Sequence, residues 1–271
     1  MGLSARRWLQ RHITLLFRLQ LAGGIGLLSV LAGWSFDLSV RNVGAIGVLL
    51  FAQLLSVSVA ARMFRHRTDG PLISFWMYGN PTFWTAPVAA AAIGAEAAVF
   101  VIAYDMLTQA RIALGVRFLR RHAPKSQSRG TALADYAPTY GALAGLLLGL
   151  VLPAPGFIDT FVAALGIVMA AFGALLVGVA WPKRWIGTPQ LAMALKGLAL
   201  HLTLVSAVLA LASRVIDLPG AVWILALGPI PTSVVSFARL YGYSPRTAAT
   251  GLALSVFVAI ALLPISLTLA T

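Results

Sequence analysis

Long apolar runs separated by short polar connections make up most of the 271-residue chain. A run of roughly 20 apolar residues is the length that crosses the hydrocarbon core of a bilayer as an α-helix. On this pattern we place nine candidate transmembrane helices, at residues 13–33, 43–61, 71–93, 96–117, 137–153, 157–181, 189–213, 219–241 and 245–269. The sequence therefore predicts an all-α polytopic membrane protein.

The composition supports a chain whose main partner is the lipid bilayer. Hydrophobic residues make up 60% of the sequence and charged residues only 10%, whereas a soluble domain needs more charge to cover its surface. The chain has no cysteine, which excludes disulfides and thiolate metal sites. The basic and then apolar N-terminal stretch lacks a cleavage site of small residues, so we interpret it as an uncleaved first helix.

The net charge of +13 is explained by topology rather than by a nucleic-acid partner. Under the nine-helix assignment, fifteen basic residues lie on one side of the membrane: Arg6, Arg7, Arg11, Arg62, Arg65, Arg67, Arg117, Arg120, Arg121, Lys125, Arg129, Lys183, Arg184, Arg239 and Arg246. The other side holds Arg41 and Arg214, near Asp37 and Asp217. The positive-inside rule then predicts a cytoplasmic N-terminus and an outside C-terminus. The expected location is the plasma membrane, and the Ala- and Leu-rich sequence with short loops suggests a bacterial inner membrane.

The longest polar connection, residues 120–136, divides the chain into four predicted helices before it and five after it. It is either a plain cytoplasmic loop or the junction of two repeats. On the second interpretation, residues 1–119 form a first repeat, 120–136 a linker and 137–271 a second repeat.

Two predicted helices contain residues that interrupt helices. The third contains GNPT at 79–82, and the eighth contains GPIPT at 228–232. A proline removes a backbone donor and clashes with the preceding turn. One interpretation is a simple kink in each helix. The other follows from their matching positions, each in the penultimate helix of its half, and from their opposite directions: an inverted repeat with two broken crossover helices, as in secondary transporters.

A broken helix exposes backbone N–H groups and a positive dipole end where its second half begins. Two such ends that meet near the middle of the bilayer form a site for a small anion. The candidate substrate-binding residues are Gly79, Asn80, Pro81, Thr82, Pro229, Pro231, Thr232 and Ser233.

Ionisable groups inside the predicted helices are candidates for ion coupling. Asp105, expected about one turn into the fourth helix, either loads and releases a proton or cation or pairs with Arg111 or Lys196. Lys196 could neutralise Asp105, attract the substrate, or extend to the membrane surface. His201 is either a hydrogen-bonded core residue or a proton relay. A row of glycines in the fifth helix is of the type used for helix packing: Gly141, Gly145 and Gly149.

Two sequence blocks resemble the crossovers of the auxin efflux carrier family, within the wider inverted-repeat group that includes bile-acid symporters. The first block is YGNPTFWTAPVAAAAIGAEAAVFVIAYD, at 78–105, and the second is GPIPTSVVSFARLYGYSPRTAATGLALS, at 228–255. The matching residues are Gly79, Asn80, Pro87, Gly94, Tyr104 and Asp105 in the first block and Ala238, Arg239, Tyr241 and Gly242 in the second.

The resemblance implies a scaffold domain and a transport domain that contains both crossovers. It implies H⁺- or Na⁺-linked movement of a small carboxylate, either an auxin-like aromatic acid or a dicarboxylate, with Tyr104 and Asp105 near the coupling site. No other cofactor is expected, and a homodimer is left open. The chain departs from the family's usual ten helices, because the first of the two sets of five helices has only four members here. Ser233 also stands where Asn is common, and His201 where many relatives have Pro.

Two other classes of function compete with a transporter. A membrane-embedded enzyme needs a nucleophile and base or a set of metal ligands, and the chain has no H-E-x-x-H or G-x-S-x-G motif. We therefore expect neither an enzyme nor a metal site. A non-transporting scaffold or sensor of the same fold is the alternative function, since the first helix of the usual set is missing.

Overall fold

A computed structural model describes residue 12 and residues 20–77, 81–108, 115, 117–119, 121–123, 137–180, 188–231 and 234–270. All regular structure in these ranges is helical, without strands, so the predicted all-α class is confirmed. A π-helical turn, Gln20–Ile25, precedes the first α-helix. The α-helices of the described ranges are α1 (Gly26–Ser35), α2 (Val40–Met63), α3 (Gly70–Trp76), α4 (Pro81–Ala92), α5 (Ala95–Leu107), α6 (Ala137–Val151), α7 (Ile158–Ala180), α8 (Thr188–Ala212), α9 (Ala221–Ala226), α10 (Val234–Tyr241) and α11 (Pro245–Ala270).

Three helices in the described part are long and apolar enough to cross a membrane: Val40–Met63, Gln190–Ala212 and Pro245–Ala270. Shorter apolar helices occupy Gly23–Ser35, Thr139–Val151 and Ile158–Phe172. These helices fit a membrane-embedded protein. Helix lies in each of the nine predicted segments, but nine bilayer crossings, the repeat and the orientation of the termini stay predictions.

The third and eighth predicted segments are each interrupted. In the third, α3 ends at Trp76 and α4 begins at Pro81. In the eighth, α9 ends at Ala226 and α10 begins at Val234. Proline is well suited to the first turn of a helix, where its missing N–H has no helical partner to lose, and Pro81 occupies that position in α4. Pro87, by contrast, lies inside α4 without ending it.

Buried apolar side chains form two clusters. The first apolar cluster includes Leu28, Leu49, Ile102, Val205 and Val222, and it draws on α1, α2 and α4 to α9. The second apolar cluster includes Leu72, Trp76, Leu198, Val235 and Leu252, and it draws on α2, α3, α8, α10 and α11. The N-terminal half of α2 and the C-terminal half of α8 belong to the first cluster, and their other halves belong to the second. The two clusters therefore lie one above the other along the helix bundle.

Helices α1 and α6 pack with their backbones in close contact. A Cβ on Gly141 would lie 2.7 Å from the carbonyl oxygen of Gly26, and one on Gly149 would lie 2.8 Å from that of Trp34. Gly145 lies against the carbonyl oxygen of Val30 in the same way. The glycine row therefore serves helix packing, as its spacing predicts.

Connections at the helix ends are fixed by glycine turns and by polar contacts. Gly94, between α4 and α5, and Gly242, between α10 and α11, have φ values of +135° and +77°, which L side chains rarely adopt.

Arg41 pairs with Asp217, at 3.0 Å between Nε and Oδ2, and not with its sequence neighbour Asp37. Asp37 instead accepts a hydrogen bond from the Ser39 N–H at 3.1 Å, at the residue that precedes α2. The pair between Arg41 and Asp217 links the first turn of α2 to the α8–α9 connection, which the sequence did not indicate.

Candidate functional site

The predicted substrate-binding residues are only partly within the described structure. Gly79, Asn80, Thr232 and Ser233 lie outside the described residues, and the binding roles assigned to them stay predictions. Pro81 and Thr82 form the first turn of α4, with side chains outside the description. Pro229 and Pro231 are buried at the second interruption, between α9 and α10.

The two interruptions lie close together in space. Gly228, at the start of the second interruption, faces Thr85 of α4, because a Cβ on Gly228 would lie 2.9 Å from the Thr85 Oγ1. Thr85 is only one turn after Pro81, where the first interruption ends, and its side chain is buried. The half-helices thus pair across the two segments, with α4 against α9.

The other two half-helices, α3 and α10, also contact each other. The rings of Phe75 and Phe237 meet edge to face, with centroids 5.3 Å apart. The chain passes from the second apolar cluster in α3 to the first in α4, and from the first cluster in α9 to the second in α10. The two interrupted segments therefore run in opposite directions beside each other.

A side chain of α11 holds the backbone at the second interruption. The Ile230 N–H donates to the Ser255 Oγ at 3.2 Å, and the Ser255 hydroxyl donates to the Leu252 carbonyl oxygen at 2.8 Å. Farther on, the Val234 N–H donates to the Pro231 carbonyl oxygen at 3.1 Å. Ser255 satisfies a backbone group that the helix break would otherwise leave unpaired. Sequence analysis missed this role, although Ser255 lies at the end of the second family-like block.

Buried polar side chains from five helices lie between the two apolar clusters. They are Gln53 of α2, Thr85 of α4, Asp105 of α5, His201 of α8 and Ser255 of α11. Gln53 and His201 fall, in their own helices, between residues of the first cluster and residues of the second. Thr85 adjoins Ala86, the first residue of α4 in the first cluster, and Ser255 holds the backbone at the second interruption. Asp105 adjoins Met106, the last residue of α5 in the first cluster. We call these five residues the polar layer; both helix interruptions lie at its level.

Tyr104 is joined to the polar layer through Gln53. Its hydroxyl donates to the Gln53 Oε1 at 2.6 Å, and both side chains are buried. Asp105, the next residue, is 4% exposed. It lies ten residues after Ala95, the first residue of α5, which is about 15 Å along a helix axis. Asp105 therefore lies near the C-terminal end of α5, which ends at Leu107, and not about one turn after the helix start as expected from the sequence. Gln53 is a residue of the polar layer that was not predicted from the sequence.

Lys196 and His201 differ in their surroundings, although both are on α8. The Lys196 side chain is exposed, and no described residue forms a salt bridge with it. The structure thus does not pair Lys196 with Asp105, which favours the alternative in which Lys196 extends to the membrane surface. His201 is 5% exposed, and its Nδ1 has no hydrogen-bond partner among the described residues.

Trp76, the last residue of α3, has a second unpaired polar atom. The side chain is 1% exposed, and its Nε1 has no partner in the described part of the chain. A buried polar atom without a partner costs about 1–3 kcal/mol and is uncommon in native proteins. Sequence analysis did not identify Trp76, since an apolar run gives no sign that an indole N–H will be left unpaired.

The far end of the second cluster carries a separate polar group around Asp69. Its Oδ1 accepts from the Ser244 N–H at 3.1 Å, and its Oδ2 accepts from the Thr247 hydroxyl at 2.8 Å. The hydroxyl of Tyr243 donates to the Leu119 carbonyl oxygen at 2.8 Å. Burial and, to a smaller extent, the charge of Asp69 raise the pKa of Tyr243 to about 12.

In the described ranges, no three His, Asp or Glu side chains converge as metal ligands. No protein-family model matches the sequence, and no curated protein matches it either. The resemblance to auxin efflux carriers therefore depends on the two sequence blocks alone.

Proposed function

We propose that the protein is a secondary transporter that moves a small organic anion, such as a carboxylate, across the membrane. The anion would bind where the two interrupted helices meet, and its movement would be coupled to H⁺ or Na⁺. On this proposal the chain is a permease of the auxin efflux carrier type, built as an inverted repeat of four and five helices.

The observation that carries the proposal is the polar layer, with both interruptions at its level. Buried polar groups inside a membrane protein are costly and generally functional. Interrupted helices are tolerated there only where protein or a water-filled cavity satisfies the freed backbone groups. The contact of Gly228 with Thr85 brings the second interruption to within one helical turn of Pro81, as a shared binding site requires.

The half-helices α4 and α10 supply the electrostatic part of the site. α4 begins at Pro81 and α10 at Val234, so the N-terminal end of each half-helix lies at the level of the polar layer. The first N–H groups of a helix have no intrahelical partner, and the helix dipole places positive potential at that end. Two such ends attract an anion without a lysine or arginine in the site, which agrees with the exposed position of Lys196.

Asp105 is the proposed coupling residue. It is the acid of the polar layer, and it follows Tyr104, whose hydroxyl is fixed by Gln53. A carboxylate inside the bundle can take up and release a proton or a sodium ion, which changes the charge of the site between its two loading states. On this proposal, its place in the polar layer brings it close to the anion that binds at the interruptions.

Reconstitution into liposomes tests this function. Uptake of radiolabelled malonate, malate and indole-3-acetate is measured under an imposed pH gradient and, separately, under a Na⁺ gradient. We expect saturable uptake of at least one acid, reduced tenfold or more in Asn80→Ala and in Asp105→Asn. Glu96→Gln is the matched control for Asp105, because Glu96 is an exposed acid near the start of the same helix.

Two results would contradict the proposal at different levels. If both Asn80→Ala and Asp105→Asn transport at the wild-type rate, the assigned site is wrong. If the wild-type protein moves none of the acids under either gradient, the non-transporting scaffold or sensor becomes the better explanation.

A further inference from the structure

The indole of Trp76 packs against two glycines of neighbouring helices. A Cβ on Gly197 of α8 would lie 3.6 Å from the Trp76 ring, and one on Gly251 of α11 would overlap the same ring. Any larger residue at Gly251 would displace the indole. The ring is thus held in one orientation, and its N–H points to a place where the described residues offer no acceptor.

His201 has a second unpaired nitrogen, on the helix that packs against this ring. It lies four residues after Gly197, so both lie on the same face of α8, about 6 Å apart along the helix axis. That face is the one that packs against Trp76. The imidazole is buried, and its Nδ1 has no partner within the described structure.

Two unpaired, buried polar atoms on helices that pack against each other, α3 and α8, indicate a ligand. Of the three such side-chain atoms in the described part of the chain, two are these, and the third is the Oγ1 of Thr139 on α6. Trp76 also immediately precedes the first helix interruption, which ends at Pro81. The unpaired nitrogens therefore lie at the edge of the site proposed above for the anion.

We propose that the Trp76 Nε1–H and the His201 Nδ1 form a second subsite, which binds an additional oxygen of the transported acid. The inference rests on the proposed transport function. The indole N–H can only donate, while a neutral imidazole Nδ1 donates or accepts according to its tautomer. The pair thus suits a second carboxylate or a hydroxyl group, while the helix ends hold the first carboxylate. This subsite selects acids with two oxygen-bearing groups over simple monocarboxylates.

Binding is measured at His201 itself, independently of transport. The protein is labelled with ¹⁵N-histidine and placed in lipid nanodiscs, and the His201 signal is identified by its loss in His201→Gln. Only three other histidines contribute signals. We expect malonate to shift the His201 signal saturably and acetate to leave it almost unchanged. Trp76→Phe, which keeps an aromatic ring but removes the N–H, should weaken malonate binding at least tenfold.

Transport provides the second readout. The ratio of malonate to acetate uptake should fall at least tenfold in Trp76→Phe and in His201→Gln. Thr139→Val is the matched control, because it removes the third unpaired atom at a position on α6, and it should keep the wild-type ratio. If Trp76→Phe does not elute as a monodisperse protein, His201→Gln alone decides the uptake test.

The outcomes separate this inference from the transport function. If malonate is taken up normally, the His201 signal does not move and the variants keep the wild-type ratio, the subsite is wrong while the transporter stands. Loss of thermal stability in both variants without any change in binding would show that the pair holds a structural water, and would also overturn the proposal. If malonate shifts the His201 signal but no acid is transported, the binding pair is supported and the transport function is wrong.

Discussion

Asp69 connects the first interrupted segment to the last helix. It immediately precedes α3, where its carbonyl oxygen accepts from the Ile73 N–H at 3.0 Å. Its carboxylate accepts from the Ser244 N–H at 3.1 Å and from the Thr247 hydroxyl at 2.8 Å, at the start of α11. A negative charge at a helix N-terminus is favourable. We therefore predict that removal of this carboxylate destabilises the whole α3–α10–α11 end of the protein.

The size of the effect follows from the two hydrogen bonds. A hydrogen bond to a charged group contributes about 1.5–3 kcal/mol, but Asp69 is only partly buried, and the Ser244 Oγ also caps α11 by accepting from the Thr247 N–H at 3.2 Å. We therefore take the lower end and expect Asp69→Ala to cost about 2–3 kcal/mol. Asp69→Asn keeps one carbonyl acceptor, and we expect it to cost about half as much.

The assay is thermal unfolding of the purified protein in detergent, with an independent readout at Tyr243. Because the pKa of Tyr243 is raised to about 12 from its usual value of 10.0, the neutral phenol is the form that the fold prefers. The stabilisation that it gives is complete below pH 10 and is lost as the pH rises through about 12. In Asp69→Asn we expect this pKa to fall but to stay above 10.0, since burial is the larger of its two causes. Absorbance of tyrosinate against pH, with Tyr243→Phe to identify the signal, measures the pKa.

Glu96→Gln is the control, because it removes an exposed acid that also lies in the first turn of a helix, α5. It should cost less than about 1 kcal/mol and leave the Tyr243 titration at its wild-type value. The reasoning would be refuted if Asp69→Ala melted at the wild-type temperature, or if Asp69→Asn left the Tyr243 pKa unchanged. The first result would mean that the two hydrogen bonds are offset by solvent, and the second that Asp69 does not act on the phenol.

Three further predictions concern packing and surface charge. Gly145→Ala should destabilise the protein by about 1–3 kcal/mol and lower its melting temperature, because the backbone of α1 lies where the new methyl group would go. Arg41→Ala should cost less than about 1 kcal/mol, because both Arg41 and Asp217 are exposed, and the difference from wild type should vanish in 1 M salt, by the same melting assay. Gly228→Ala should reduce transport, because its Cβ would lie 2.9 Å from the Thr85 hydroxyl, and Thr85→Ala in the same chain should restore uptake. Equal uptake by Gly228→Ala and wild type would contradict the close approach of the two interruptions.

The sequence pattern was sufficient to predict those features of the fold that depend on residues close together in the chain. The helical segments, the two interruptions and the glycine row all follow from local periodicity or from the chemistry of proline and glycine. Gly94 and Gly242, which belong to the two family-like blocks, follow the half-helices α4 and α10, and both have positive φ.

Contacts between residues far apart in sequence could not be predicted in this way. The Tyr104 hydroxyl and the Gln53 amide are 51 residues apart, and Asp69 and Thr247 are 178 apart. Arg41 shows the same limit, because its nearest acid in sequence is Asp37 and its partner in the structure is Asp217. Local patterns identify which side chains are polar, whereas helix packing decides which of them meet.

The polar layer gives a physical reason to regard the two interruptions as one structural unit. A continuous apolar helix would satisfy its own backbone inside a membrane, whereas each interruption leaves groups that need partners from elsewhere. At the second interruption, Ser255 on a different helix accepts one of the freed backbone N–H groups. Position 228 suits glycine because Thr85 of α4 lies so close that a Cβ there would be 2.9 Å from its Oγ1. The geometry of one interruption therefore depends on helices beyond its own, including the half-helix that begins at the other. Movement of either half-helix would change both together, as the proposed transport function requires of a binding site exposed to alternate sides of a membrane.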